Sequence, residues 1–550
     1  MFVIAGAQLP AKASGDDVAI ESSDLPPLAG EAAPGDTQPV VSNTTATPSS
    51  SDQRWLGLPL AEARRLEAGM PRPLGSPMLA ALWRQLLKGG RQADAEVMAF
   101  RAQSLLDQGW AADAAALLSS LPKDEPVIAL VAAKAALAIG DGSGACPLLR
   151  QVPVAMTVKL GKTDRSDFVA MAAFCAALSK DETQTALAAD VLRETGIDRP
   201  VALAVLDGLS TGTAPDLPTD RALDLIDARL AGVVRPVRRA ELGDRPSPDA
   251  VAALAADTAR DPQSRAEAVE MAVAAHLLPA STLAEAYQAI ELAPELRQNP
   301  LAQEAEGALK RAVLYQAAFE ERAMLRKARY IRAMLDETSR EGLGAGAAAL
   351  LADAVEDLPQ VGEIGWFAES AVEILVTAGR TARAREWIGR DQDLDTSGGR
   401  LGLGHWLVLA NIRDMSDVGR GTALPELEPA IRAGVIPPDV LQRLVTVLDA
   451  LEYNVPIPVW EAAGTGQQSD AGDLPETGLL AELQKVARQG DRPKTVLLVV
   501  LALAKSGPGG THQLALGDAL RALMKVGMER EARQLAFEAL YPLWPRRAGG

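Results

Sequence analysis

Apolar residues recur along this chain at intervals of three and four. The clearest run is Leu79, Leu82, Trp83, Leu86 and Leu87, preceded by Ser76-Pro77 and closed by Gly89-Gly90. An N-cap hydroxyl, a proline at the first helical position, one apolar stripe and a glycine stop follow in that order, and together they predict a helix. Comparable starts occur at Ser247-Pro248, at Thr282 with Glu285 as a capping box, and at Pro437-Pro438 ahead of Leu441, Leu444, Val445, Leu448 and Leu451. No run of period-two alternation matches these, so strands are expected to be incidental and the fold all-α.

A second pattern joins the helices. A Gly stands five residues before an Ala at Gly109/Ala114, Gly140/Ala145, Gly379/Ala384 and Gly527/Ala532, and Asp181/Ala186 repeats the spacing without the Gly. Each pair falls between two helical stretches. The Gly is expected to end the first helix in a left-handed cap, and the Ala, one turn into the second, lets two backbones approach closely.

The spacings between the first turns bracket the ~34-residue period of helix-pair repeats. On these residues the chain resembles the tetratricopeptide superfamily, most plainly at Gly527-Met528-Glu529-Arg530-Glu531-Ala532 with Ala536 and Ala539 beyond. A weaker copy is Gly109-Trp110-Ala111-Ala112-Asp113-Ala114, with Pro126 at the terminating offset. The aromatic and Leu-Gly positions of the first helix of that repeat are mostly absent, and the period wanders. The resemblance implies an irregular α-solenoid of antiparallel helix pairs and a habit of binding proteins or peptides, and it supplies no catalytic residues.

Breaks in the pattern divide the chain. Residues 1–13 hold a short apolar run and Ala11-Lys12-Ala13, a small-x-small pattern that suits the end of a signal peptide, though the basic n-region is missing; a cytosolic chain with an apolar N-terminus is the other reading. Residues 14–52 contain no Lys or Arg and are rich in Ser, Thr, Pro, Gly, Ala and acid, the composition of a disordered tether. Helical repeats are expected over 53–207 and 219–460, separated by the Gly-, Thr- and Pro-rich stretch from Asp207 to Pro218. A flexible linker is expected over 461–476, preceded by an extended Val455-Pro456-Ile457-Pro458-Val459, with C-terminal helical pairs over 477–545. Leu301 to Arg340 reads as unbroken helix-forming sequence, either one long helix or two with a kink, and Arg326-Lys327-Ala328-Arg329 within it reads as a solvated face.

Composition sharpens this picture. The 550 residues are 48% hydrophobic but only 4% aromatic, which suits close helix-on-helix packing over a sheet core. A formal charge of −17 without a basic stripe argues against nucleic acid as a partner. The longest apolar stretch, Thr495 to Ala504, lies between Lys494 and Lys505 and is about half the ~20 residues a bilayer requires, so it is expected to be a buried helix and no transmembrane span is expected.

Candidate chemistry is sparse. Cys146 and Cys175 fall in successive predicted helices, where they are either a disulfide or two buried thiols. In an oxidising compartment, closing the loop between them would stabilise the fold by ~2–4 kcal/mol. Gly208-Leu209-Ser210-Thr211-Gly212 imitates a nucleophile elbow, but Pro215 and Pro218 deny it the following helix. Gly161-Lys162-Thr163 lacks the earlier glycine of a phosphate-binding loop, and Gly342-Leu343-Gly344-Ala345-Gly346-Ala347 follows a helix, not the strand that a dinucleotide fingerprint requires. His276, His405 and His512 are scattered without a ligand partner, so no metal and no cofactor are expected.

Trp83, Trp110, Trp366, Trp387 and Trp406, with Trp460 and Trp544, either anchor a bound segment or fill gaps between helix pairs. The expectation is a non-catalytic scaffold or adaptor for a protein or peptide partner, periplasmic or otherwise exported. The alternative is an enzyme on an α-superhelical platform, such as one acting on cell-wall glycan.

Overall fold

The structure, a computed structural model, describes residues 54–90, 94–122, 125–152, 157–158, 160–218, 221–301, 305–390, 402–414, 427–464 and 472–546. The expected signal remnant and tether over 1–52 lie outside the described residues, as do residues 465–471 of the expected 461–476 linker.

The Pro77–Lys88 helix shows how the sequence pattern becomes structure. Ser76 is extended and its hydroxyl accepts from the Leu79 N–H at 3.1 Å, while Leu79, Leu82, Trp83, Leu86 and Leu87 are buried along one stripe. Trp55 packs edge-on against Trp83 and Phe100, each at 5.5 Å, and holds a small hairpin of Arg54–Trp55 and Leu58–Pro59 over this helix. Leu56 and Gly57, both at positive φ, make the two-residue turn that a tight hairpin demands. All other regular elements among the described residues are helical.

Helices pack chiefly on their sequence neighbours. Pro126–Ala138 lies on Gly142–Arg150, Glu182–Thr195 on Pro200–Thr211, Pro248–Ala256 on Pro262–Ala274, and Ala368–Thr377 on Thr381–Gly389. Two features go beyond neighbour-only stacking. Leu225–Val234 and Pro248–Ala256 fold back onto Pro126–Ala138, and Pro77–Lys88 packs against both Arg492–Leu503 and Glu529–Leu540. Early helices therefore meet late ones, and residues 50–550 form one compact unit that contains the breaks expected near 207–218 and 461–476.

Several local expectations change. The 301–340 stretch is not one helix but two, Gly307–Glu320 and Met324–Arg340, which fold back on each other. Glu321 stands at the break: its backbone is extended and its carboxylate accepts from the N–H groups of Arg322 and Ala323 at 2.8 and 2.7 Å, in the turn ahead of the second helix. The expected solvated face also contains a buried member, since Lys327 is 6% exposed and pairs with Asp357 at 2.8 Å.

Thr282 and Glu285 form no capping box. That helix runs Ala280–Gln288 from an N-cap at Pro279, whose carbonyl already accepts from the Thr282 N–H. Val455–Val459 is not extended throughout, because Ile457–Gly464 is helical and the Pro456 carbonyl accepts from Val459 and Trp460. Prolines in a first turn give up N–H groups that would have had no intrahelical partner. Ser210 sits in the last turn of Pro200–Thr211, with its hydroxyl on the Asp207 carbonyl, so a helix rather than a strand precedes it.

The apolar Thr495–Ala504 stretch belongs to the buried Arg492–Leu503 helix. No helix among the described residues is long and apolar enough to cross a membrane.

Candidate functional site

The four Gly-to-Ala turns share one geometry. Gly109, Gly140, Gly379 and Gly527 have φ between +74° and +90°. At each, the N–H of the Gly bonds the carbonyl three residues back and the next N–H bonds the carbonyl five back: Trp110 to Leu105, Asp141 to Ala136, Arg380 to Leu375, Met528 to Leu523. These bond pairs satisfy helix-end carbonyls in the Schellman arrangement. Ala114, Ala145, Ala384 and Ala532 are all fully buried. Gly342 makes the same turn, with Leu343 bonding Thr338 and Ala347 fully buried, so the segment that imitates a dinucleotide fingerprint is a further copy. The same Gly-x4-Ala search over the sequence finds it. At His276, φ +59°, a histidine takes the glycine's place.

Cys146, on Gly142–Arg150, and Cys175, on Lys162–Ser179, are joined in a disulfide with their Cα atoms 5.7 Å apart. The tryptophans do not form a partner-binding row. Trp83, Trp110, Trp387 and Trp406 are each no more than 5% exposed and fill space between helices, while Trp366, at 50%, is the exposed member of that candidate set. Burial of four large indoles follows from a core otherwise built of Ala and Leu, where few other side chains fill a wide gap.

The feature that unites distant parts of the chain is a cavity of about 1670 Å³ whose wall runs from Gly75 to Arg546. Packing of Pro77–Lys88 against the late helices encloses one side of it. There Glu538, from Glu529–Leu540, accepts the Ser76 hydroxyl, the Met78 N–H at 3.1 Å and the Gln534 side-chain amide at 3.0 Å. Burial raises the Glu538 pKa above the usual glutamate range, against the lowering effect of those bonds and of the Arg413 charge. Farther round, Glu373 accepts from Arg546 Nε at 2.7 Å and from the Tyr541 hydroxyl at 2.9 Å, and burial with the Glu373 charge pushes the Tyr541 pKa up.

The other charged side chains on the wall are paired as well. Arg332 bonds Asp336 at 3.0 Å and the Ser370 hydroxyl at 2.8 Å. Glu369 accepts the Trp406 indole N–H at 3.2 Å, and Arg84 and Lys88 both turn to Asp113. Four cations and four carboxylates line the cavity, so its formal charge is zero. Between them lie apolar side chains such as Leu335, Leu343 and Phe537 and two glycine-rich segments, 342–346 and 507–510.

A second polar cluster ties the N-terminal helices together. Asp167 pairs with Lys134 at 2.9 Å and with Arg199, and Arg199 also reaches Asp224 and, at 3.7 Å, Asp227. Asp227 is 6% exposed, and burial together with the neighbouring Asp224 charge pushes its pKa up to about 7. Deeper still, Glu270 accepts from Arg311 twice at 2.6 Å and from the Tyr287 hydroxyl at 2.8 Å. The histidines serve local structure: His405 bridges the Gly402 and Pro545 carbonyls beside Trp544, and His512 Nδ1 accepts from the Leu514 N–H as an N-cap. Among the described residues no group of His, Cys, Asp and Glu is placed to hold a metal ion.

Comparison with known proteins gives no match among family models, curated proteins or solved structures. What the fold and site define is a class: an all-α protein with a disulfide between successive helices and a large cavity lined by equal numbers of cations and carboxylates. The cavity residues were not legible as a set. Ser76 and Glu538 each carry a local helix signal, and nothing in a single sequence links positions that far apart.

Proposed function

We propose that this protein is a non-catalytic scaffold or adaptor that holds a protein or peptide partner on a tetratricopeptide-like array of helix pairs. The observation that carries the reading is the cavity, whose wall brings together early, central and late helices and whose charged groups all have partners within the protein. A wall of that kind offers area and shape for binding. The Cys146–Cys175 disulfide supports an exported or periplasmic setting. The test is capture of a partner under oxidising conditions by the intact protein, run beside a peptidoglycan hydrolysis assay. Reproducible capture with no turnover is expected, and robust turnover overturns the scaffold reading.

One observation favours an enzyme as the second reading. Glu538, its pKa raised by burial, shares the cavity wall with Glu373, and two carboxyl groups lining one cleft are the residue types that glycosidic cleavage uses. Hydrolysis of glycan that is lost in Glu538→Gln while the variant stays folded would establish it.

A further inference from the structure

Charge on the cavity wall is balanced in number but not in reach. Arg84 and Lys88 stand one turn apart on Pro77–Lys88 and share a single carboxylate, Asp113. Their side chains are 44% and 52% exposed, whereas Asp113 is 12% exposed and is not part of the wall. Arg546 repeats the arrangement, 36% exposed on a Glu373 that is 7% exposed. Arg332 and Asp336 are both partly exposed, bond each other and cancel. The remaining carboxylates are turned to donors of the protein, Glu369 to the Trp406 indole and Glu538 to Ser76, Met78 and Gln534.

A ligand entering this space therefore meets exposed cation heads whose own carboxylates are recessed. Two cations on one carboxylate leave a positive charge over, and because both heads still reach water, an incoming carboxylate meets them without the desolvation cost of a buried ion. A cationic ligand would find one well-exposed carboxylate, Asp336, already taken by Arg332.

The wall also bears on the size of the occupant. The volume, about 1670 Å³, exceeds the ~300–1,000 Å³ of pockets that hold a single small molecule. Its surplus cations come from opposite ends of the described chain, Pro77–Lys88 and the segment after Tyr541, so filling them takes anionic groups at more than one place along a ligand. The charge of −17 on the whole protein repels a long polyanion such as nucleic acid at a distance, and favours an occupant with few charges placed where the cations are. Gly342, Gly344 and Gly346, all exposed on the same wall, leave main chain open to the main chain of a peptide.

We infer that the cavity receives an acidic segment of a partner polypeptide, whose carboxylates meet Arg84, Lys88 and Arg546. This rests on the scaffold reading and adds to it the place and the chemistry of the bound segment.

The probe is a ten-residue peptide of Ser, Ala and Gly with both ends blocked and three spaced Glu, together with versions carrying Gln or Lys at the same three places. Binding to the full chain is measured by titration calorimetry at low and high salt. Arg84→Gln combined with Lys88→Gln removes the exposed pair. Since that change leaves Asp113 without its partners, a second set of variants alters charge at an exposed wall position that carries no ion pair, Ser339→Lys and Ser339→Glu.

The Glu peptide is expected to bind, more weakly as salt rises, with the Gln and Lys versions and the double variant each at least tenfold weaker. Ser339→Lys should tighten binding and Ser339→Glu loosen it. No binding of the Glu peptide, or equal binding of the Gln or Lys version, overturns the inference, as does undiminished binding by the folded double variant. If the double variant does not fold, equal affinities in the two Ser339 variants overturn it. Inorganic phosphate or an acidic oligosaccharide that binds as tightly as the Glu peptide assigns the cavity to another anion. If the double variant captures the same protein partner as well as wild type does, the cavity assignment falls and the scaffold reading stands. Failure of wild type to capture any partner, alongside glycan turnover, removes the scaffold reading itself.

Discussion

Glu538 accepts a hydrogen bond from Ser76 across 462 positions of sequence, and the same carboxylate takes the N–H of Met78. A residue near the end of the chain thus caps the first long helix described, and the two sides of the cavity meet there. Glu538→Ala leaves both donors without an acceptor and is expected to cost about 1–3 kcal/mol, with faster amide exchange over Pro77–Lys88. Because burial raises the folded pKa, the contribution of this group is fullest below the unfolded value and declines as pH rises through the folded one. Glu538→Gln should therefore gain on wild type as pH rises above the ordinary glutamate range. Unchanged exchange in Glu538→Ala would show that apolar packing alone closes this seam.

Asp227 gives a second pH dependence with a wider window. Its pKa stands at about 7 in the folded protein against 3.8 unfolded, through burial and the Asp224 charge, opposed by Arg199 and Arg221. The proton is bound more tightly in the folded state, so the contribution is present below about 3.8 and is lost as pH rises through about 7. Asp227→Asn is expected to melt close to wild type at pH 5 and above it at pH 8. A melting difference that does not change with pH would count against this account.

Glu270 and Arg311 are 4% and 3% exposed and bond each other in a fork, with Tyr287 completing the set. Removing one member strands the other in the core. Glu270→Ala is expected to lose about 3–5 kcal/mol in denaturant unfolding. Glu270→Gln, which keeps hydrogen-bonding atoms in place, should lose less, and equal losses would mean that the cavity left by the truncation is irrelevant and the charge is everything.

The Cys146–Cys175 bond closes a loop of 29 residues and pins two successive helices. It is expected to contribute about 2–4 kcal/mol. Cys146→Ser should melt below oxidised wild type and level with reduced wild type. If reduction leaves the wild-type melting temperature where it was, the bond adds nothing to stability.

What the sequence made legible divides along a physical line. Local rules governed the helix at Ser76-Pro77, the glycine turns and the buried Thr495–Ala504 segment, because caps, left-handed glycines and apolar stripes act within a few residues. The errors came where two local signals competed. At Thr282 a capping-box pattern lost to the φ-restricted Pro279 three residues earlier, and at Val455–Val459 the prolines that read as extended proved compatible with a first helical turn. Between Gly307–Glu320 and Met324–Arg340 the Glu321 carboxylate holds the turn through bonds to the next two N–H groups, an event that helix propensity does not register. The tryptophans were ambiguous for a different reason: whether an indole faces a partner or a gap is decided by neighbours distant in sequence. The cavity depends wholly on such neighbours.

Two of the turn glycines separate backbone strain from packing. At Gly527, φ +74°, an added Cβ meets no atom within 4 Å, so Gly527→Ala is charged only for a left-handed conformation, about 1–2 kcal/mol. At Gly109, φ +79°, the same Cβ would lie 3.0 Å from the Pro248 carbonyl oxygen and 3.1 Å from the Leu277 methyls. There the turn is wedged against the Pro248–Ala256 helix, one of those that fold back on the N-terminal pairs, and the carbonyl is backbone that has little room to move. Gly109→Ala should add about 1–3 kcal/mol of overpacking to the same conformational cost. Thermal unfolding of the two variants side by side is expected to place Gly109→Ala clearly lower. Equal destabilisation would mean that the Gly109 turn and the folded-back helix are not in the close contact described, and that the N-terminal pairs stack without it.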